Sequence, residues 1–159
     1  MCEGKIVVLG VGNLLMADEG VGIHAIQALG ERQDLPPEVE LVDGGTSTLD
    51  LLPYLHRARR VIIIDVLKAG GAPGDIYRCR PEDLLENREQ PLSLHQIDFA
   101  EVMRMAGCMG YRIGPAVIYG VEPGYMGWSM QLSREVAAKI PRLLELVLEE
   151  IEKHLDDCL

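Results

Sequence analysis

The chain opens on an apolar run, Lys5–Gly10 (KIVVLG), that closes in glycine. A segment apolar at every position, rather than at every second one, predicts a strand buried on both faces, the habit of parallel sheets. Val21, Ile23, Ala25, Ile26 and Leu29 then recur at helical spacing up to Gly30. Val39–Val42 predicts a second strand, ended by Asp43-Gly44-Gly45, and a helix is expected from Leu49 to about Ala58 with Ser47 or Thr48 as its N-cap. Val61–Val66 (VIIIDV), rich in β-branched residues, is the most strand-like segment of the chain. Beyond the turn residues Gly70, Gly71, Pro73 and Gly74, Asp75–Cys79 reads as a short strand and Arg80–Pro91 as polar and irregular. Gln96–Gly107 reads as a helix, Ala116–Val121 as a strand and Glu122–Ser129 as a glycine-bearing loop. The last helix, about Ser133 to Leu155, carries an apolar stripe through Val136, Leu143, Val147 and Ile151, and Pro141 is expected to bend or restart it. Strands alternating with helices predict one α/β domain spanning residues 1–159, a mostly parallel sheet with helices on both faces.

A chain of 159 residues is long enough to bury a sizeable core, and with aromatics at only 4% that core must rest on Val, Ile, Leu, Ala and Met. The net charge of −10, without a cluster of Lys and Arg, argues against nucleic acid and anionic membranes as partners. No apolar run approaches the roughly 20 residues that cross a bilayer. The N-terminus, MCEGKIVVLG, has an acid where a signal peptide would be basic, so a cytoplasmic protein is expected. Cys2, Cys79, Cys108 and Cys158 form no CxxC pair and read as free thiols, not as a disulfide framework or zinc knot.

Open α/β sheets bind ligands beyond the carboxyl ends of their strands. Asn13, Asp18 and Glu19 follow the first strand, Asp43 the second, Asp65 lies near the end of the third, and His95 precedes the Gln96–Gly107 helix. The loop from Gly10 to Gly20 begins like a dinucleotide fingerprint. It puts Leu15 where the third glycine belongs, however, and carries two acids where a pyrophosphate would lie. Asp43, at the place of a ribose-binding acid, keeps a nucleotide reading open. An aspartate inside IIIDV is costly to bury without a partner, whether that partner is a helix end, a backbone amide or a ligand. Glu19 has the alternative of a helix-start carboxylate favoured by the dipole, and His95 that of a cap or surface histidine. Together, two carboxylates and an imidazole on three segments suit a borderline divalent metal with coordination positions left for a substrate. HExxH and GxSxG are both absent. Trp128, with Tyr125 and Met126 in one loop, is expected as a core anchor, with a partner-binding rim as the alternative.

These segments resemble a known family. Gly10-Val11-Gly12-Asn13-Leu14-Leu15-Met16-Ala17-Asp18-Glu19-Gly20-Val21-Gly22 is similar to the N-terminal signature of the [NiFe]-hydrogenase maturation endopeptidases. Asp43-Gly44-Gly45-Thr46, Ile64-Asp65 and Ser93-Leu94-His95-Gln96 resemble three further motifs of that family in the same order. The resemblance runs from about Lys5 to the last helix, and is least clear over Gly107–Ile113 and the C-terminal tail. It implies a five-stranded twisted sheet sandwiched by helices. It also implies removal of a C-terminal extension from the hydrogenase large-subunit precursor after nickel insertion. Glu19, Asp65 and His95 match the family's nickel-binding positions, with nickel carried in by the precursor and not permanently bound. Asp43 or Asp18 remains open as a base or ligand-orienting group. A non-enzymatic nickel chaperone using the same three residues is the alternative from another class.

Overall fold

The computed structural model describes residues 3–46, 49–86 and 103–157. Among them, five strands form one sheet in the order β2-β1-β3-β5-β4: β1 is Ile6–Val11, β2 Val39–Gly45, β3 Arg60–Val66, β4 Ile76–Cys79 and β5 Ala116–Val121. All neighbours run parallel except the edge strand β4, which is antiparallel to β5. The helices are α1 (Val21–Gly30), α2 (Leu52–Leu55), α3 (Pro81–Glu86), α4 (residues 103–108) and α5 (Arg134–Asp156).

Successive strand residues face opposite sides of the sheet, and both sides are buried. Ile6, Val8, Ile62, Ile64 and Val117 pack with Val21, Ala25 and Leu29 of α1 and with Leu143, Val147 and Ile151 of α5. Val7, Leu9, Val61, Ile63 and Ile118 meet Leu51 and Leu55 on the other side. Each fully buried aliphatic side chain contributes about 1.5–3 kcal/mol, so the unbroken apolar runs are what make a three-layer arrangement stable. The expected fold class is the one observed.

Ser133 caps α5, its hydroxyl accepting from the amide of Val136 at 3.4 Å. The helix continues through Pro141 as one element, so of the expected bend or second start the second start does not occur. Near its far end Glu150 is buried and takes hydrogen bonds from Arg78 Nε (3.1 Å), Arg78 Nη2 (3.0 Å) and the Tyr119 hydroxyl (2.7 Å), while His154 Nε2 lies 2.9 Å away. Burial alone would raise this carboxyl; the bonds from Arg78, Tyr119 and His154 outweigh it and bring Glu150 down to about 2. Burial and the Glu150 carboxylate push Tyr119 up to about 12. The cluster ties α5 to β4 and β5 with the buried charge satisfied.

Three further boundaries differ from expectation. β2 extends through Asp43-Gly44-Gly45, because a bulge at Gly10/Val11 lets Val11 pair with Gly45. The Leu49–Ala58 segment is a 3-10 turn (Leu49–Leu51) followed by only one turn of α2, and Arg57, at φ +65°, turns the chain into β3. α3 arises within the segment read as irregular: Pro81 suits the first helical position, Glu82 and Asp83 the first turn, and the Asp83 carboxylate accepts from the Arg80 amide at 3.1 Å. The proposed caps Ser47 and Thr48, and the first part of the Gln96–Gly107 helix, lie outside the described residues.

Candidate functional site

From β1 the chain crosses through α1 to β2 on one side, then returns through α2 to β3 on the other. The carboxyl ends of β1 and β3 are therefore the switch point of the sheet, where the diverging connections leave a crevice. Glu19 comes from the loop after β1 and Asp65 from the end of β3. The segment Ala17–Gly20, a 3-10 turn, packs against β3 and brings the two carboxyl groups into electrostatic contact. Asp65 is 3% exposed and its Oδ1 accepts from the Val66 amide at 2.7 Å. Burial pushes its carboxyl well above the ordinary range; the Val66 amide opposes this and the charge of Glu19 reinforces it.

Glycines make this placement possible. A Cβ on Gly22 would meet the backbone of Ile64 and Val11, and one on Gly10 would meet the backbone of Gly22. The first turn of α1 therefore sits directly on β1 and β3. The loop amides are taken up by the chain itself. Asn13 donates to Glu19 O (3.2 Å), Leu15 to Asn13 Oδ1 (3.0 Å), Met16 to Asn13 O (3.1 Å), Ala17 to Ser129 O (2.7 Å), Asp18 to Tyr125 O (3.0 Å) and Glu19 to Met16 O (3.0 Å). A phosphate cradle needs such amides free and pointing outward, so the glycines here serve close packing.

Asp18, left open as a base by its sequence position, is fully buried and accepts three backbone hydrogen bonds: from Gly124 (2.7 Å) and Tyr125 (2.8 Å) at Oδ2, and from Ser133 (2.7 Å) at Oδ1. It fastens the loop bearing Glu19 to the loop before α5. Ala17, beside it, is buried with φ +47°, the left-handed region that an alanine rarely adopts. Local strain of this kind, on the order of 1–3 kcal/mol, is held by surrounding structure and clusters at functional sites. Neither feature has a composition signal; an Asp immediately before a candidate ligand was the only pointer to Asp18.

Asp43 is exposed on the edge strand β2, two strands from Asp65, and its Oδ1 accepts from the Gly45 amide at 3.0 Å. It borders a surface cavity of about 510 Å³ with Glu40, Asp50 and Tyr54. His95 lies outside the described residues. Among the described residues no three His, Cys, Asp or Glu side chains gather in metal-binding geometry; Glu19 and Asp65 supply two carboxylates at the crevice. Two acids held together, one of them buried, are a donor pair that a divalent cation fits. Trp128 is 78% exposed, which overturns its expected role as a core anchor. Cys79 and Cys108 are free thiols, and burial pushes Cys79 up. No helix among the described residues is long and apolar enough to cross a membrane.

A five-stranded switch-point sheet with an acid pair at its carboxyl edge defines a small doubly wound α/β protein whose site is formed by the loop after β1 and the end of β3. Residues 23–150 match the family model described as hydrogenase maturation protease. The chain is 33% identical over 150 residues to the hydrogenase 2 maturation protease of Escherichia coli, covering 94% of this chain and 92% of that protein. It is 38% identical over 120 residues to the hydrogenase expression/formation protein HupD of Rhodobacter capsulatus, spanning 75% of this chain and 57% of that relative. Among solved structures, the hydrogenase maturating endopeptidase HybD from Escherichia coli superposes with a TM-score of 0.85 at 32% identity, over 94% of this chain and 93% of that one. The chain belongs to the hydrogenase maturation protease family, hydrolases that act on peptide bonds.

Proposed function

We propose that this protein removes the C-terminal extension of a [NiFe]-hydrogenase large-subunit precursor, and that Glu19, Asp65 and His95 test for the nickel the precursor carries. The observation supporting this reading is the pairing of Glu19 with a buried Asp65 at the switch point. Without a cation, burial and Glu19 both favour the protonated form of Asp65. A precursor-borne divalent ion brought into the crevice reverses that preference for Asp65, whose carboxylate then joins Glu19 and His95 as a ligand. A precursor lacking metal offers no such gain. The protease thereby distinguishes loaded from unloaded substrate by differential binding. The docked ion fixes the scissile peptide at the sheet edge, where proximity lowers the barrier to hydrolysis.

The test is incubation of purified protein with nickel-loaded and nickel-free precursor. Shortening of the loaded precursor alone, lost in Glu19→Gln and His95→Ala while both variants keep the native circular-dichroism spectrum, is the expected result. Processing at the normal rate by either variant defeats the metal-sensing reading. Nickel transfer without shortening would make the protein a chaperone instead.

A further inference from the structure

The loop before α5 shows large apolar side chains to solvent. Trp128 is 78% exposed, Met130 60% and Tyr125 56%, and Leu15, on the loop after β1, is 50% exposed. These are not loose ends. Ser129 donates to Leu15 O (3.0 Å), Ala17 donates to Ser129 O (2.7 Å), and Met16 and Ser129 form a parallel bridge, so Leu15 lies across from Trp128 and Ala17 across from Met130. Met126 and Leu132 of the same loop pack against the core, and the Asp18 carboxylate holds the Gly124 and Tyr125 amides. A Cβ on Gly127 would run into the Tyr125 ring, so that ring lies over the loop. The chain thus holds four apolar side chains outward on a braced platform.

We propose that Leu15, Tyr125, Trp128 and Met130 form the docking surface for the folded body of the precursor, an apolar patch beside the crevice that takes its metal-bearing end. This rests on the function proposed above. Continuity argues for the precursor: the platform is hydrogen-bonded to the Ala17–Glu19 segment itself, so a protein seated in the crevice also covers the patch. Area argues against a second copy of this chain. Four side chains at these exposures present on the order of 500 Å², the size of a functional patch on a monomer and short of the roughly 800 Å² per partner of a stable association. A substrate that must leave after cleavage needs a surface of the smaller kind, with a central aromatic carrying most of the affinity.

Trp128 is the only tryptophan of the chain, so 5-fluorotryptophan labelling yields one fluorine resonance that reports on the patch. Titration with nickel-loaded and nickel-free precursor is expected to shift or broaden that resonance in both cases, because the patch reads the protein body and not the metal. Trp128→Ala is expected to raise KM for the loaded precursor at least tenfold with kcat within about twofold, whereas Tyr54→Ala, at an exposed aromatic on α2, leaves both unchanged. A fluorine signal unmoved by precursor, or an unchanged KM in Trp128→Ala, overturns the docking surface and leaves the metal-sensing reading intact. A signal that moves with the concentration of this protein alone assigns the patch to a second copy and also overturns it. Should Glu19→Gln still process while the Trp128 signal moves, docking stands and metal sensing fails.

Discussion

Replacing Asp18 by alanine tests the bracing of the site. The carboxylate is fully buried and accepts three backbone hydrogen bonds of 2.7–2.8 Å from Gly124, Tyr125 and Ser133. Bonds to a charged acceptor contribute about 1.5–3 kcal/mol each. They do not add fully, because Gly124 and Tyr125 are exposed and their amides regain water once the side chain is gone. The expected loss is about 4 kcal/mol. At roughly 2–4 °C per kcal/mol for a domain of this size, Tm falls by about 12 °C. Asp18→Asn keeps the shape but turns an NH2 group toward an amide donor, and is expected to lose about 2 kcal/mol. The assay is urea unfolding followed by circular dichroism, with the slope m compared between variants so that a shift of midpoint reads as stability. Because Glu19 is the next residue, both variants should also process precursor more slowly at a temperature where they remain folded. A loss below about 1 kcal/mol in Asp18→Ala, at unchanged m, would refute the bracing argument.

Gly22→Ala places a methyl against the Ile64 and Val11 backbone; α1 must lift, costing about 3 kcal/mol in urea unfolding, and Glu19 moves with it, so processing of precursor falls at least tenfold. Leu143→Ala opens a cavity at a fully buried position and should cost about 3 kcal/mol in the same assay while leaving the KM for precursor unchanged. Glu150 has a folded pKa of about 2, below its ordinary value of 4.5, so its stabilisation is complete above about pH 4.5 and is lost as pH falls toward 2. Since Arg78 is half exposed, the contribution is on the order of 2 kcal/mol. The stability gap between wild type and Glu150→Gln, measured by urea unfolding from pH 6 to pH 2, should shrink over that window.

Most of the fold was legible because the central strands β1, β3 and β5 are buried on both faces and so read as nearly unbroken apolar runs. The exceptions have local causes. Asp43-Gly44-Gly45 looks like a turn, but the bulge opposite it keeps β2 paired. The one-turn α2 ends at Leu55 and the chain turns at Arg57, whose positive φ no residue pattern announces. α3 is only six residues long, and its signals were chemical, a proline followed by two acids, and not periodic. Glu150 and His154 fall at helical spacing beside Val147 and Ile151; acids and histidines on an apolar stripe are the mark of a buried polar cluster, and that mark was available. Trp128 was not: an aromatic in a glycine-bearing loop is compatible with either side of the surface, and only the anchoring of Met126 and Leu132 decides which residues of the loop turn outward.

Glu19 and Asp65 were found by position, at the carboxyl ends of neighbouring strands. Their energetic peculiarity appears only in three dimensions. Local strain and polar burial concentrate on this edge: Ala17 at φ +47°, Asp65 at 3% exposure beside a second acid, and His24 with a buried Nε2 that has no partner among the described residues. Desolvating a carboxylate next to another acid costs stability, a cost that a cation carried in by the proposed substrate would lower. This reasoning yields a definite expectation for Asp65→Asn, which preserves shape and removes the repelled charge. The variant should unfold at a urea concentration equal to or above that of wild type, and it should no longer process nickel-loaded precursor. Loss of stability by more than about 1 kcal/mol would show instead that Asp65 is there to hold the fold, and the acid pair would lose its meaning as a site.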